Sequence, residues 1–211
     1  MVFHDMELVI FDCDGVLVDS ETLAAEAFSQ LAKDAGLLVT PSEAYQRFQG
    51  KKVSSCLAEI KALGGNDLPK DAEHRFRLLC EQIFEKRLKP VPGIHSLLRR
   101  LPLPYCVASS APRKKINKVL GLARLQDCFP QERIFSAYEV GHWKPDPRIF
   151  LYTAEKLEVS PQRCLVIEDS EVGVQAAEAA GMQVIQYQAS SPFSSQSFCS
   201  NRINSMDELF P

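Results

Sequence analysis

Leu8-Val9-Ile10-Phe11-Asp12-Cys13-Asp14-Gly15, residues 8–15, sets two carboxylates directly after an unbroken apolar run. Such a run fits a strand buried on both faces of a parallel sheet. Carboxylates two residues apart at the end of a buried strand are expensive to dehydrate, so a metal ion, a cationic side chain or a reaction has to hold them there. Alternation along the strand points Asp12 and Asp14 to one side, and Gly15 lets the chain turn closely past them. A strand cap or a solvated turn would explain the pair taken alone; three further features elsewhere in the chain favour an enzyme.

Working outward, Tyr105 to Ala108, Cys164 to Ile167 and Met182 to Tyr187 are similar apolar or β-branched runs, with Arg133 to Ala137 a weaker one. Helical patterns separate them. Asp146-Pro147 reads as an N-cap followed by proline at the first helical position, with Ile149, Phe150, Thr153, Ala154 and Leu157 on one face. Pro112 opens a helix with the face Ile116, Val119 and Leu120, ended by Gly121, and Ser170 to Ala180 is an alanine-rich helix stopped by Gly181. Strands alternating with helices imply an α/β fold, a Rossmann-like parallel-sheet core sandwiched by helices. In such sheets ligands bind at the carboxyl ends of the strands.

Residues 22–90 break this rhythm. Thr22 to Ala35, Pro41 to Phe48, Val53 to Leu63 and Asp71 to Lys86 are helical in succession with no convincing strand between them. A parallel crossover does not need about 70 residues, so an inserted all-helical cap is expected over 20–90, with the core formed by 1–19 and 91–211. Springing from beside the aspartate pair, the cap is expected to cover it as a lid. Ser190 to Ser200 reads as loop, and Met206 to Phe210 as a short closing helix or end strand.

Of the 211 residues, 45% are hydrophobic and 24% charged, with a formal net charge of -3, as in an ordinary soluble globule. No basic tract favours nucleic acid, and no apolar stretch approaches the length of a membrane span. The seven cysteines are scattered without a CxxC pair, which fits a reducing compartment, and the N-terminal MVFHDMELVIFDCDG lacks the pattern of a secretory signal. The expectation is a cytoplasmic protein, a monomer or weak dimer, that binds its anionic ligand at one focused site.

Three further strand ends carry candidate chemistry. Val107-Ala108-Ser109-Ser110-Ala111-Pro112 runs from a strand into a helix start, where hydroxyls and backbone N–H groups form an anion cradle, although a serine N-cap explains the same letters. In Gly141-His142-Trp143-Lys144-Pro145-Asp146-Pro147 the proline biases Lys144 toward extended backbone and pins it in a rigid loop, where an ammonium near two carboxylates can hold a phosphate. Glu168-Asp169-Ser170 adds a second acidic pair, which would repel the first unless a hard cation sat between them. Carboxylates without a Cys/His cluster indicate Mg²⁺. Together the four pieces imply phosphoryl transfer through an aspartyl phosphate.

On these motifs the sequence resembles the haloacid dehalogenase-like hydrolases, within them the phosphatases and β-phosphoglucomutase-like enzymes that carry a small helical cap. The resemblance implies Asp12 as nucleophile, Asp14 as general acid/base, Ser109 (with Ser110 beside it) as phosphate-binding, Lys144 as the partner of phosphate and nucleophile, and Asp12, the Asp14 carbonyl, Glu168 and Asp169 around Mg²⁺, with Asp169 the surer ligand of the last two. The β-phosphoglucomutase-like relatives carry a histidine where this chain has Ala24, and His74 and His95 are too far along to replace it. That departure favours a phosphatase over a phosphosugar mutase; a non-catalytic phosphometabolite-binding protein is a third reading. Phe48-Gln49-Gly50-Lys51-Lys52 matches the family's cap loop, so Gly50, Lys51 and Lys52, with Arg75 and Arg77 from the last cap helix, are the candidates for reading a sugar phosphate or a sugar-acid phosphate such as 6-phosphogluconate.

Overall fold

In the computed structural model, which describes residues 5–65, 68–188 and 199–209, one parallel sheet runs through the molecule. Its strands are β1 (Leu8–Phe11), β2 (Tyr105–Ser109), β3 (Ile134–Ser136), β4 (Cys164–Glu168), β5 (Gln183–Tyr187) and β6 (Arg202–Ile203), in the order β3-β2-β1-β4-β5-β6. Ile10 of β1 lies in register with Cys106 of β2 on one side and Val166 of β4 on the other, so the first strand is central. The chain builds outward from β1 through β2 to β3, then crosses back to start β4 on β1's other edge. The strand order therefore reverses at β1, and the crevice this opens lies at the carboxyl ends of β1, β2 and β4.

The pleat sorts the apolar residues into two layers. Leu8 and Ile10 point into a cluster with Cys106, Val166 and the helices α8 (Arg148–Lys156) and α9 (Glu171–Ala179). Val9 and Phe11 point the other way, against α5 (Ile94–Arg100) and α6 (Arg113–Leu122). At about 1.5–3 kcal/mol for each fully buried large apolar side chain, these two layers are the main stabilising term.

Between β1 and α5 come α1 (Glu21–Asp34), α2 (Pro41–Phe48), α3 (Val53–Ala62) and α4 (Ala72–Arg87). Thr40 and Glu43 close a capping box on α2. Phe28 of α1 stacks on Phe76 of α4 with ring centroids 3.9 Å apart and touches Phe48 of α2 at 4.9 Å. These helices share the apolar cluster that lies beneath Val9 and Phe11. Where the chain leaves β1 and where it returns are stitched side by side, Asp19 N–H donating to Lys89 C=O at 2.9 Å and Val91 N–H to Leu17 C=O at 3.0 Å.

Several boundaries differ from the sequence expectation. Pro147 is the N-cap of α8 rather than its first residue, and the Asp146 carboxylate accepts from Arg148 N–H at 3.0 Å. Pro112 likewise precedes α6, which runs past Gly121 to Leu122. The short α5, α7 (Ala137–Val140) and β6 were not expected, because seven, four and two residues carry too little periodicity to read. Met206–Glu208 is a 3₁₀ turn, and most of the Ser190 to Ser200 stretch lies outside the described residues, as does Phe210.

Candidate active site

A cavity of about 530 Å³ opens at the carboxyl ends of β1, β2 and β4 and is roofed by α1, α3, α4 and the loop between α2 and α3. Asp12, one residue beyond β1, is fixed by its own N–H donating to Ile167 C=O at 2.9 Å. Lys144 enters from a turn that contains a cis Lys144–Pro145 peptide bond, between α7 and α8. Its buried ammonium donates to Asp12 Oδ1 and to Glu168 Oε1, and to Ala108 C=O at 3.2 Å. Burial would lower this lysine; the two carboxylates more than offset that and hold it above its usual range. Asp12 is pushed up to about 7 by burial, against the pull of Lys144 and with repulsion from Glu168 and Asp14.

Glu168 was expected among the metal ligands, and in this structure both of its oxygens have hydrogen-bond partners. While Oε1 is engaged by Lys144, Oε2 accepts from Asp169 N–H, Ser170 N–H and Ser170 Oγ, each at 3.0 Å. Glu168 thus anchors the Lys144 ammonium through Oε1 while Oε2 ties it to the start of α9. Gly173 of α9 leaves it room, since a Cβ there would overlap the Glu168 carboxyl. Replacing Gly173 by alanine should gain about 1 kcal/mol of helix propensity but lose about 1–3 kcal/mol to overpacking. G173A is therefore expected to melt below wild type and to lose activity as Glu168 is displaced. A melting temperature at or above wild type would show that the carboxylate can move aside.

Asp14 is turned the other way. Its Oδ1 accepts from Ser20 Oγ at 2.6 Å and its Oδ2 from Lys115 Nζ at 2.7 Å. Burial alone would raise it, but these partners hold it below the usual carboxylate range. Its side chain is thus engaged by Ser20 and Lys115, whereas the atom expected at the metal is its main-chain carbonyl; among the described residues no group of three or more His, Cys, Asp or Glu side chains has the arrangement to hold a metal ion.

Asp169 packs over Gly15, whose φ of 79° brings the backbone in under the carboxylate; a Cβ there would overlap it. Gln49 of the roof donates to Asp169 Oδ2 at 2.8 Å. Burial, with Glu21, Glu168 and Asp12 nearby, raises Asp169 well above the ordinary range, and Glu21, at the start of α1, is pushed up to about 8 by burial and Asp14. The floor thus holds Asp12, Asp14, Glu21, Glu168 and Asp169 against Lys115 and Lys144. This excess of negative charge suits a hard cation, and Asp12 and Asp169 fit it as oxygen ligands, since Mg²⁺ needs only one or two carboxylates and keeps several waters.

Ser109, at the end of β2, is buried and its Oγ accepts from Ala111 N–H at 3.1 Å. Ser110 lines the cavity, and its buried Oγ has no partner among the described residues. Beside them α6 begins without a side-chain cap, so its N-terminal dipole faces an incoming anion.

Of the roof candidates, Gly50, Lys51, Lys52 and Arg77 line the cavity. Gly50 has φ 70°, and a Cβ on it would come within 2.6 Å of Ser170 Cβ, so the loop can approach β4 only with glycine here. Lys51 pairs with Glu59 at 3.4 Å, and Lys52 Nζ lies 3.7 Å from the centroid of the Trp143 ring. Arg77 donates to Glu73 at 2.6 Å and to Tyr138 Oη at 3.0 Å. Arg75 is a correction: it faces outward to Asp71 at 3.1 Å and is not in the cavity wall. Two positions along α4 from Arg77, it points to a different side of the helix. His142 turns to Asp146 and Arg148, whereas His74, set aside on sequence distance, reaches the wall from α4, as does Ala24 from α1.

Sequence reasoning missed Lys115, Glu21 and Gln49. Lys115 precedes Val119, a cavity-lining member of α6's apolar face, by one helical turn, which is the signal that could have found it.

A family model described as haloacid dehalogenase-like hydrolase matches residues 6–181. The chain belongs to that family. As a haloacid dehalogenase-like hydrolase it is 33% identical over 183 residues to 6-phosphogluconate phosphatase of Escherichia coli (strain K12), covering 86% of this chain and 82% of that protein. It is 33% identical over 184 residues to a phosphorylated carbohydrates phosphatase of Thermotoga maritima, covering 85% and 84%. A crystal structure of a conserved haloacid dehalogenase-like protein of unknown function from Agrobacterium tumefaciens str. C58 superposes with a TM-score of 0.85 at 32% identity, over 97% of this chain and 96% of that one. This hydrolase therefore sits in the phosphatase and β-phosphoglucomutase-like branch with a helical cap region, among homologues that act on phosphorylated sugars. Among its described residues no helix is long and apolar enough to cross a membrane.

Proposed function

We propose that this hydrolase is a Mg²⁺-dependent phosphomonoesterase that cleaves a small sugar or sugar-acid phosphate through a phosphoaspartate on Asp12. The observation that carries the reading is the buried Asp12 carboxylate clamped by Lys144 at the cavity floor, with Asp14 two residues on. A carboxylate oxygen of Asp12 attacks phosphorus and the bond from phosphorus to the ester oxygen breaks. Asp14 acts in its protonated form, giving that proton to the departing alcohol and regaining one from the water that hydrolyses the acyl phosphate. Lys144, Ser109 and Ser110 hold the phosphoryl oxygens, and the roof excludes bulk water. The chemistry that Mg²⁺ supplies when held by Asp12 and Asp169 is charge neutralisation between phosphoryl group and nucleophile.

Two observations support the substrate class. The roof and α6 set Lys51, Lys52, Arg77 and Lys114 in the cavity wall, which suits a substrate with a second anionic or hydroxyl-rich end. The E. coli and T. maritima relatives carry names of that class. An assay over sugar phosphates, 6-phosphogluconate, phosphoglycolate, nucleotides and pyrophosphate, ranked by kcat/KM, should place sugar and sugar-acid phosphates first. A nucleotide or pyrophosphate at the top would replace the substrate class and leave the chemistry standing.

The metal reading has its own test. EDTA should reduce phosphate release to background and Mg²⁺ restore it. Asp12, Glu21 and Asp169 keep their protons in the metal-free fold to higher pH than in the unfolded chain, where carboxyls titrate near about 4. Their contribution to stability is complete at low pH and lost as pH rises from there toward about 8. Mg²⁺ competes with those protons, so it should raise the melting temperature more at about pH 8 than at about pH 5. An equal shift at both, or none, counts against a metal at these carboxylates.

A further inference from the structure

Asp14 is half-buried, and its side-chain direction is set by two donors from different parts of the fold: Ser20, the N-cap residue of α1, at 2.6 Å and Lys115 of α6 at 2.7 Å. The backbone beside it is fixed by the turn at Gly15, whose N–H donates to Val18 C=O at 2.8 Å. The Lys115 ammonium forms no other ion pair among the described residues and stands 5.8 Å from the centroid of the Phe84 ring of α4. It is therefore held between a core carboxylate and a roof aromatic, at the edge of the cavity.

We infer that Lys115 is a positioning residue for Asp14, holding its carboxylate in the orientation from which it serves the leaving oxygen, and doing so from a helix that also touches the roof. The inference rests on the reading of Asp14 as the group that protonates the departing alcohol. A proton donor has to lie within hydrogen-bond reach of that oxygen, and a misplacement of about 1 Å costs on the order of 10²-fold. Lys144, by contrast, is buried with its ammonium on Asp12 and Glu168, so Lys144 and the half-buried Lys115 divide these carboxylates between them.

The leaving group provides a readout that a merely structural role would not move. An alkyl phosphate, the best sugar phosphate of the panel, needs its alcohol protonated as it departs; p-nitrophenyl phosphate does not. Because kcat/KM covers steps only through the first irreversible one, it isolates phosphoryl transfer from the later hydrolysis. Lys115→Met should lower kcat/KM for the alkyl ester by on the order of 10²-fold and for the aryl ester by less than about 3-fold, with inhibition by inorganic phosphate unchanged. K115R should recover most of the alkyl activity, and K115Q, which keeps a donor, should fall between and serves if K115M does not fold. Equal losses on both esters, or no loss on either, would overturn this inference while leaving the phosphatase reading intact. Absence of wild-type turnover on both esters would overturn the phosphatase reading itself, and the inference with it.

Discussion

Asp12→Asn is expected to cut phosphate release by on the order of 10⁴-fold or more, because a carboxamide keeps the shape and an oxygen acceptor for Lys144 but loses the anionic oxygen that attacks phosphorus. The loss should fall on kcat for alkyl and aryl esters alike, unlike the leaving-group dependence expected at Lys115. Stability should barely fall. Burial pushes Asp12 up to about 7, so the fold already disfavours its charge, and a neutral group of the same size relieves repulsion with Glu168 and Asp14. The measurements are single-turnover phosphate release, a melting curve and the inhibition constant of inorganic phosphate. Turnover by D12N near the wild-type rate would remove Asp12 from the mechanism.

Lys144→Met should have the opposite balance, harming both fold and activity. The ammonium is the buried link between Asp12 and Glu168, and removing it leaves two buried carboxylates without their counterion. Breaking a buried pair in this way costs about 3–5 kcal/mol. Loss of a fixed charge at a phosphoryl group costs on the order of 10²–10³-fold in kcat. Glu168→Gln in the same chain should return part of the stability, since one uncompensated charge is gone, and none of the activity. If the double variant were no more stable than K144M, Glu168 would not be the anchor its hydrogen bonds make it.

The architecture and the floor were legible in the sequence for one reason: β1, β2 and β4 are continuous apolar runs, and each ends in residues whose dehydration needs an explanation. Asp12, Ser109 and Asp169 come to one cavity because parallel strands deliver their carboxyl ends to the same edge, and Lys144 joins them from the turn between α7 and α8. What was not legible depends on contacts between elements far apart in the chain. Gln49 reaches Asp169 across 120 positions and Lys115 reaches Asp14 across 101, and no local pattern marks either pair. Glu168 and Asp169 read alike as an acidic pair after β4, with Asp169 the surer ligand. The hydrogen bonds of Glu168 to Lys144 and to the N-terminal turn of α9 separate the two roles. Arg75 and Arg77 looked equivalent until the rotation of α4 was fixed by Phe76 and Cys80 entering the apolar cluster.

Trp143 is the only tryptophan in the chain. Its indole lies where roof meets core, under the Lys52 ammonium and edge-on to Tyr138 at 5.1 Å, with Nε1 buried and without a partner among the described residues. Lys52 belongs to the loop that roofs the cavity, and Arg77 of α4 holds the Tyr138 hydroxyl. Any movement that lifts the roof draws the cation away from the indole and lets water reach it. The intrinsic fluorescence of the unlabelled protein is thus a reporter of cap opening, and stopped-flow emission can time substrate entry and product release against chemistry.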